Sequence, residues 1–352
     1  MSVREVIFVF SGRPLPRYAR ASLKLARLHS GLRVTLLAES RVASQVKGTG
    51  VTFVALEDFY RRQEHHEAFQ NLSSSHSYRG GFWLRALERF FILHDFLSAS
   101  GREQFLHAEL DQLLFRVDLM LENFDKSGRD GLFAPFHNPD SVVASVLFGN
   151  DPSALERLMT FSQNTPPFRN EMELMARFGG RPESPLIGLP TIADVLDKGF
   201  GSDMQRLTVE ELGGIVDAAQ LGQWVAGIDP RNMPLSNRPT NRFVDPASPF
   251  LATEAELQKL RFSFDPDTSV LTCRSPEVEE LPLFNLHIHS KIHPWVASRR
   301  GSVGRLIDVS NSGSVTTFPG MRPLQYQSQV RRHSATAWRR FVRRIGRLFH
   351  RR

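Results

Sequence analysis

The sequence predicts an α/β fold, on three observations. Short apolar runs recur at Val6–Phe10, Val34–Ala38 and Val51–Ala55. A helical spacing of apolar residues (Tyr18, Leu23, Leu25, Ala26, Leu28) lies between the first two runs. The turn Ser11-Gly12-Arg13-Pro14-Leu15-Pro16 separates the first run from that helix. Strand, helix and strand at this spacing imply parallel strands joined by a right-handed crossover. Ligands of such sheets bind beyond the carboxyl ends of the strands, which makes Ser11, Gly12 and Arg13 candidates for nucleotide contact.

The remaining elements follow in order. Arg79–Leu97 reads as a long amphipathic helix with Phe82, Leu87, Phe90, Phe91 and Leu93 on its core face. It carries Arg79, Trp83, Arg85 and Arg89, which are placed to touch a nucleotide or acceptor. An apolar strand then ends in Glu109-Leu110-Asp111. Leu132–Phe136 and Val142–Phe148 read as strands, and Pro152–Ser162 and Arg169–Phe178 as helices. The Pro- and Asn-rich stretch Ile228–Phe250 reads as a long loop, and 261–265, 269–273 and 283–289 as short strands. Residues 298–330 read as a linker.

Composition narrows the class. A chain of 352 residues with 41% hydrophobic residues can bury a large core. The single cysteine, Cys273, excludes an intrachain disulfide and a thiolate-rich zinc site, and fits a reducing compartment. The start of the chain lacks the pattern of a signal peptide, and no apolar run reaches transmembrane length. The net charge of +7 is concentrated at one end: residues 331–352 hold nine arginines and no acid. Without them 35 Lys+Arg face 37 Asp+Glu, so the body is near neutral and a nucleic-acid-binding body is not expected.

Two motifs carry chemistry. Glu109 and Asp111 stand just past a strand end, where the chain can bend and aim both at one divalent cation; Mg²⁺ or Mn²⁺ takes such oxygens together with those of a diphosphate. The second motif is Asn285-Leu286-His287-Ile288-His289-Ser290-Lys291. On a strand, His287 and His289 would share a face and offer imidazole ligands. Lys291 follows, in reach of a metal-held diphosphate. A third segment, Gly213-Gly214-Ile215-Val216-Asp217-Ala218-Ala219-Gln220, reads as a helix start near a ligand, with Asp217 as its cap. Asp229 is a further candidate carboxylate. His107 reads as a packed histidine or an orienter of the acidic pair.

These motifs resemble the GT-A-fold glycosyltransferases. Glu109-Leu110-Asp111 resembles their Asp-x-Asp motif, with Glu in the first position. His287-x-x-Ser290-x-x-His293-Pro294-Trp295 is similar to the His-x-x-Gly-x-x-Lys-Pro-Trp stretch of glycogenin-like and lipopolysaccharide galactosyl-transferring enzymes. Ser290 and His293 depart from that pattern. The resemblance spans roughly residues 4–296. It implies a GT-A-like, Rossmann-type mixed sheet flanked by helices over residues 1–297. It also implies a divalent ion (Mn²⁺ or Mg²⁺) held by Glu109, Asp111 and His287 or His289. A nucleotide-diphosphate sugar, UDP favoured, would lie on Ser11, Gly12, Arg13, Arg85 and Lys291. Asp217, Gln220 and Asp229 are the catalytic candidates it leaves near the transferred sugar.

The tail 331–352 follows the linker. Trp338, Phe341, Val342, Ile345, Leu348 and Phe349 form one stripe among arginines. That pattern reads as a C-terminal amphipathic helix over 337–349 on an anionic membrane surface. The sequence reading is therefore a cytoplasmic transferase peripheral to the inner membrane face, acting on a glycan or lipid-linked acceptor in cell-surface polysaccharide synthesis. Two other classes compete: a metal-dependent phosphoester hydrolase, and a non-catalytic membrane- or RNA-binding protein acting through the tail. Deleting 331–352 separates them, because a catalytic body keeps its nucleotide.

Overall fold

The computed structural model describes residues 5–12, 14–73, 81–198, 204–227, 251–276, 278–298 and 302–312. The predicted loop 228–250, linker residues 299–301 and 313–330, and the tail with 337–349 lie outside the described residues, as do Arg13, Arg79 and Asp229.

The first strands are β1 (Glu5–Phe10), β2 (Arg33–Ala38) and β3 (Thr52–Ala55), with helix α1 (Arg17–His29) between β1 and β2. Helix α2 (Phe82–Ser100) leads to β4 (Phe105–Ala108). Next come β5 (Gln112–Leu114), α3 (Val117–Ser127), β6 (Leu132–Asn138), β7 (Ser141–Val142) and β8 (Val146–Gly149). Helices α4 (Pro152–Asn164) and α5 (Glu171–Gly179) precede β9 (Leu186–Leu189). Helix α6 (Gln220–Ala226) precedes β10 (Arg261–Asp265), β11 (Val270–Ser275), β12 (Val278–Pro282) and β13 (Asn285–His287), and α7 (Val303–Asn311) comes last.

The central sheet runs β3-β2-β1-β4-β8-β6-β7, with β9 on β6. β1 pairs in parallel with β2 and β4, whereas β8 runs antiparallel to β4 and β6. The sheet is thus mixed and flanked by helices, as expected. Alternation along β1 explains its two faces: Val6 and Phe8 join one buried cluster with Leu23 of α1 and Met120 of α3, while Ile7 joins another with Leu87 and Phe90 of α2. A three-stranded antiparallel sheet, β10-β11-β12, and the two-stranded ladder β13-β5 complete the body. No helix among the described residues is long and apolar enough to cross a membrane.

Three expectations are corrected. The run 142–148 is two strands, because the chain turns at Val143–Ser145 (Ser145 N–H to Val143 O, 2.7 Å). The strand expected at 283–289 ends at His287: after a last rung from Ile288 N–H to Asp111 O at 2.8 Å the chain turns, with His289 N–H donating to His287 O at 3.1 Å. Part of the expected linker is α7, which buries Val303, Leu306, Ile307 and Ser310 against β10 and α6. Ser302 caps it by accepting from Arg305 N–H at 3.0 Å. The folded body therefore runs at least to Asn311.

Candidate active site

Strand β4 ends at Ala108, and the chain bends through Glu109, Leu110 and Asp111. The bend is held at both sides. Glu109 N–H donates to Ser145 O at 2.9 Å, and Gln112 N–H returns to Glu109 O at 3.2 Å. The break between β7 and β8 supplies that Ser145 carbonyl. Beyond the bend, β5 pairs with β13, and His287 sits opposite Gln112, the residue after Asp111. This register brings together groups far apart in sequence.

Glu109, Asp111 and His287 each present a ligand atom within 4.8 Å of the others. His287 Nε2 lies 3.2 Å from Asp111 Oδ1 and 3.5 Å from Glu109 Oε2. Two cations balance the carboxylates: Arg89 of α2 pairs with Glu109, and Lys291 with Asp111. Arg89 is buried, lies 3.6 Å from the buried Glu171 and packs over the Phe90 ring. Burial alone would raise the Asp111 carboxyl; Lys291 and His287 outweigh it and hold it well below the usual range. Burial raises Glu171, with Arg89 opposing.

The donor set fits a divalent ion. Two carboxylate oxygens and one imidazole nitrogen suit Mn²⁺ or Mg²⁺. Neighbouring ligands of an octahedral ion, each about 2.1 Å from it, stand about 3 Å apart, close to the spacings above. Asp111 is held ionised, as a ligand must be.

His289 is not brought into this cluster. β13 stops at His287, so His289 lies in the turn beyond it, and its Nδ1 is 3.2 Å from Gln223 Nε2 instead. Its ring meets the His287 ring edge-on at 4.3 Å, and burial lowers its pKa. His137 of β6 is a neighbour the sequence reading missed; burial, then the charge of His287, takes it to about 4.

Asp217 and Gln220 are also corrected. Asp217 is 1% exposed. Its Oδ1 accepts from Leu221 N–H at 2.8 Å, and its Oδ2 from Gly222 N–H at 2.7 Å and His287 N–H at 2.8 Å. It ties the start of α6 to β13, leaving little room to accept a substrate proton. Gln220 is buried and donates to Ala252 O at 2.5 Å.

The β1 loop lies beside these strand ends. Gly12 has φ +124°, a conformation that favours glycine, and a Cβ there would run into the Arg85 guanidinium. Arg85 donates to Ser11 O at 2.5 Å, Arg41 to Gly12 O at 2.9 Å, and Gly12 N–H to Glu39 Oε1 at 2.7 Å. Ser11 Oγ donates to Glu88 Oε2 at 2.8 Å. Arg85 therefore pins the loop. His107 Nδ1–H donates to Ile7 O at 2.9 Å; burial, then Arg89, lowers its pKa to about 3, so it is a packed neutral histidine. An open groove of about 290 Å³ beside α3, lined by Arg116, Asn123 and Leu283 among others, includes none of the cluster residues.

No protein-family model and no curated protein matches the chain. Solved structures similar to it include the apo form of mouse xyloside xylosyltransferase 1, at 15% identity over 53% of this chain and 84% of that one (TM-score 0.38). GlyE of Streptococcus pneumoniae TIGR4 is 14% identical over 94% of this chain and 64% of its own, less than two thirds of its length (TM-score 0.36). An active-site mutant of LgtC is 12% identical over 69% of this chain and 81% of that one (TM-score 0.30).

Proposed function

We propose that the protein is a metal-dependent glycosyltransferase of the hexosyl-transferring kind. Its donor is a nucleotide-diphosphate sugar, UDP favoured, and its acceptor a glycan or lipid-linked glycan of cell-surface polysaccharide synthesis. The observation that carries this is the Glu109–Asp111–His287 cluster, set between Arg89 and Lys291 at the carboxyl ends of β1 and β4. That is where a sheet of this kind receives a phosphorylated ligand. In the proposed complex Asp111, Glu109 and His287 hold Mn²⁺ or Mg²⁺. Neutralising charge on the departing diphosphate is the chemistry such an ion supplies when bound. Lys291 contributes a second positive charge to the same oxygens. The β1 loop, pinned by Arg85 and Glu88, flanks the nucleoside. Asp229 is the candidate carboxylate for the acceptor hydroxyl. The tail 337–349 docks on anionic lipid at the inner face of the membrane, which places a cytoplasmic body beside a lipid-linked acceptor.

The test is a thermal-shift panel of UDP, GDP, CDP and ADP, with and without Mn²⁺, on the full chain and on Asp111→Asn. A metal-dependent rise in Tm for one nucleotide, lost in the variant, is expected. Absence of any nucleotide shift would sink the reading. Sedimentation with anionic vesicles, lost on deleting 331–352, checks the tail.

A further inference from the structure

We propose that Lys291 is an internal counter-cation that occupies Asp111 until a diphosphate draws it away, and so couples divalent-ion binding to nucleotide binding. The proposal deepens the donor reading above and rests on it for the diphosphate.

Asp111 is fully engaged: Oδ1 faces His287 Nε2 at 3.2 Å, and Oδ2 is paired with the Lys291 ammonium. A dication approaching this carboxylate meets a like charge already seated on it, in a part-buried site where repulsion is poorly screened. Arg89 stands in the same relation to Glu109, yet Arg89 cannot leave. Its guanidinium is buried, packed on Phe90 and held from behind by Glu171.

Lys291 is differently placed. Its side chain is 21% exposed, and it sits in the turn after β13 with φ +59°. Its ammonium lies 5.3 Å from the Tyr18 ring centroid as well as on Asp111. Tyr18 belongs to the first turn of α1, directly after the β1 loop, so that ring face lies on the nucleotide side of the cluster. An ammonium on a flexible four-carbon arm can move between Asp111 and an anion placed there.

Formal charge points the same way. Glu109, Asp111 and Glu171 against Arg89 and Lys291 sum to one negative charge, so a dication alone leaves the cluster net positive. A nucleotide-sugar diphosphate brings about two negative charges and offsets that excess. The oxygens of that diphosphate replace Asp111 as the partner of Lys291, and Asp111 Oδ2 becomes free for the ion.

The experiment measures Mn²⁺ binding by the electron paramagnetic resonance signal of free Mn²⁺. It uses the full chain, Lys291→Met, Lys291→Arg and Asp111→Asn, alone and with each of UDP, GDP, CDP and ADP. Lys291→Met should bind Mn²⁺ alone about tenfold tighter than the parent, within the range usual for coupled sites, while Lys291→Arg stays weak. The factor by which nucleotide tightens Mn²⁺ should fall about tenfold in Lys291→Met, leaving what direct phosphate ligation contributes. Asp111→Asn should bind no Mn²⁺. Equal Mn²⁺ affinity in Lys291→Met and the parent overturns the proposal, as does Mn²⁺ retained by Asp111→Asn. Tighter Mn²⁺ in Lys291→Met with no effect of any nucleotide would uphold the competition at Asp111 and overturn the donor reading instead.

Discussion

Asp217→Asn tests whether this carboxylate is a base or a tie. Its oxygens accept three backbone N–H groups, from Leu221, Gly222 and His287. In the amide, one oxygen becomes an NH₂. The least damaging orientation keeps oxygen where Gly222 and His287 donate and turns NH₂ toward Leu221 N–H. One hydrogen bond to a charged acceptor is lost, at about 1.5–3 kcal/mol, and two others weaken to the neutral kind, each by several tenths. Removing a charge from a buried position offsets part of this, since burial pushes the Asp217 carboxyl up. The net is a loss of about 2 kcal/mol, or roughly 3 °C in Tm for a body of this size. Because one of the three donors is His287 N–H, Mn²⁺ affinity should fall with stability. Urea denaturation and Mn²⁺ binding are the assays. An unchanged Tm with a hundredfold loss of sugar transfer would refute the structural assignment and restore Asp217 as the base.

Other perturbations follow from the same contacts. Arg89→Met strands Glu171 and Glu109 and should cost about 3–5 kcal/mol by urea denaturation; adding Glu171→Gln should recover a large part. Gly222→Ala puts a Cβ 2.6 Å from the His287 carbonyl carbon, so α6 must lift off β13; a loss of about 1–3 kcal/mol and weaker Mn²⁺ binding are expected. Burial pushes Asp95 up, but hydrogen bonds from His65 and His94 outweigh it and bring it to about 2. A depressed acid stabilises above its ordinary pKa and loses that contribution as pH falls through its folded value. The stability gap between the parent and Asp95→Asn should therefore be full at pH 5 and shrink toward pH 2; a constant gap would contradict the pairing.

Much of the fold is legible because its signals are local. The period-2 alternation of β1 and the apolar stripe of α2 are each written within one segment. The acidic pair is legible because two carboxylates at the end of an apolar run have no place in a core. What escapes is set by distance or by single residues. The β5–β13 ladder, in which Asn285 Nδ2 donates to Gln112 Oε1 across 173 positions, has no local mark. The fate of His289 turns on where β13 stops, and β13 stops where the chain turns back on itself, His289 N–H donating to His287 O at 3.1 Å. The helix α7 did carry a signal, since Val303, Leu306, Ile307 and Ser310 fall at helical spacing behind a serine cap. The polar residues around it outweighed that stripe.

The charged residues of α2 point to the site from another direction. Arg85, Glu88 and Arg89 lie within five positions of a helix otherwise packed with Leu87, Phe90 and Phe91. Glu88 and Arg89 are 5% and 6% exposed. Buried ion pairs add little net stability, and well-packed apolar residues in their place are often neutral or better. Stability therefore gives no reason for these charges, whereas position does. Arg85 and Glu88 hold the loop after β1, and Arg89 holds Glu109 after β4, the neighbouring strand. One rigid helix thus fixes both strand ends, at a spacing set by the sheet, about 4.8 Å between strands. A ligand bridging those two ends meets groups aligned before it arrives, which is the arrangement that lowers the cost of ordering a diphosphate and its ion.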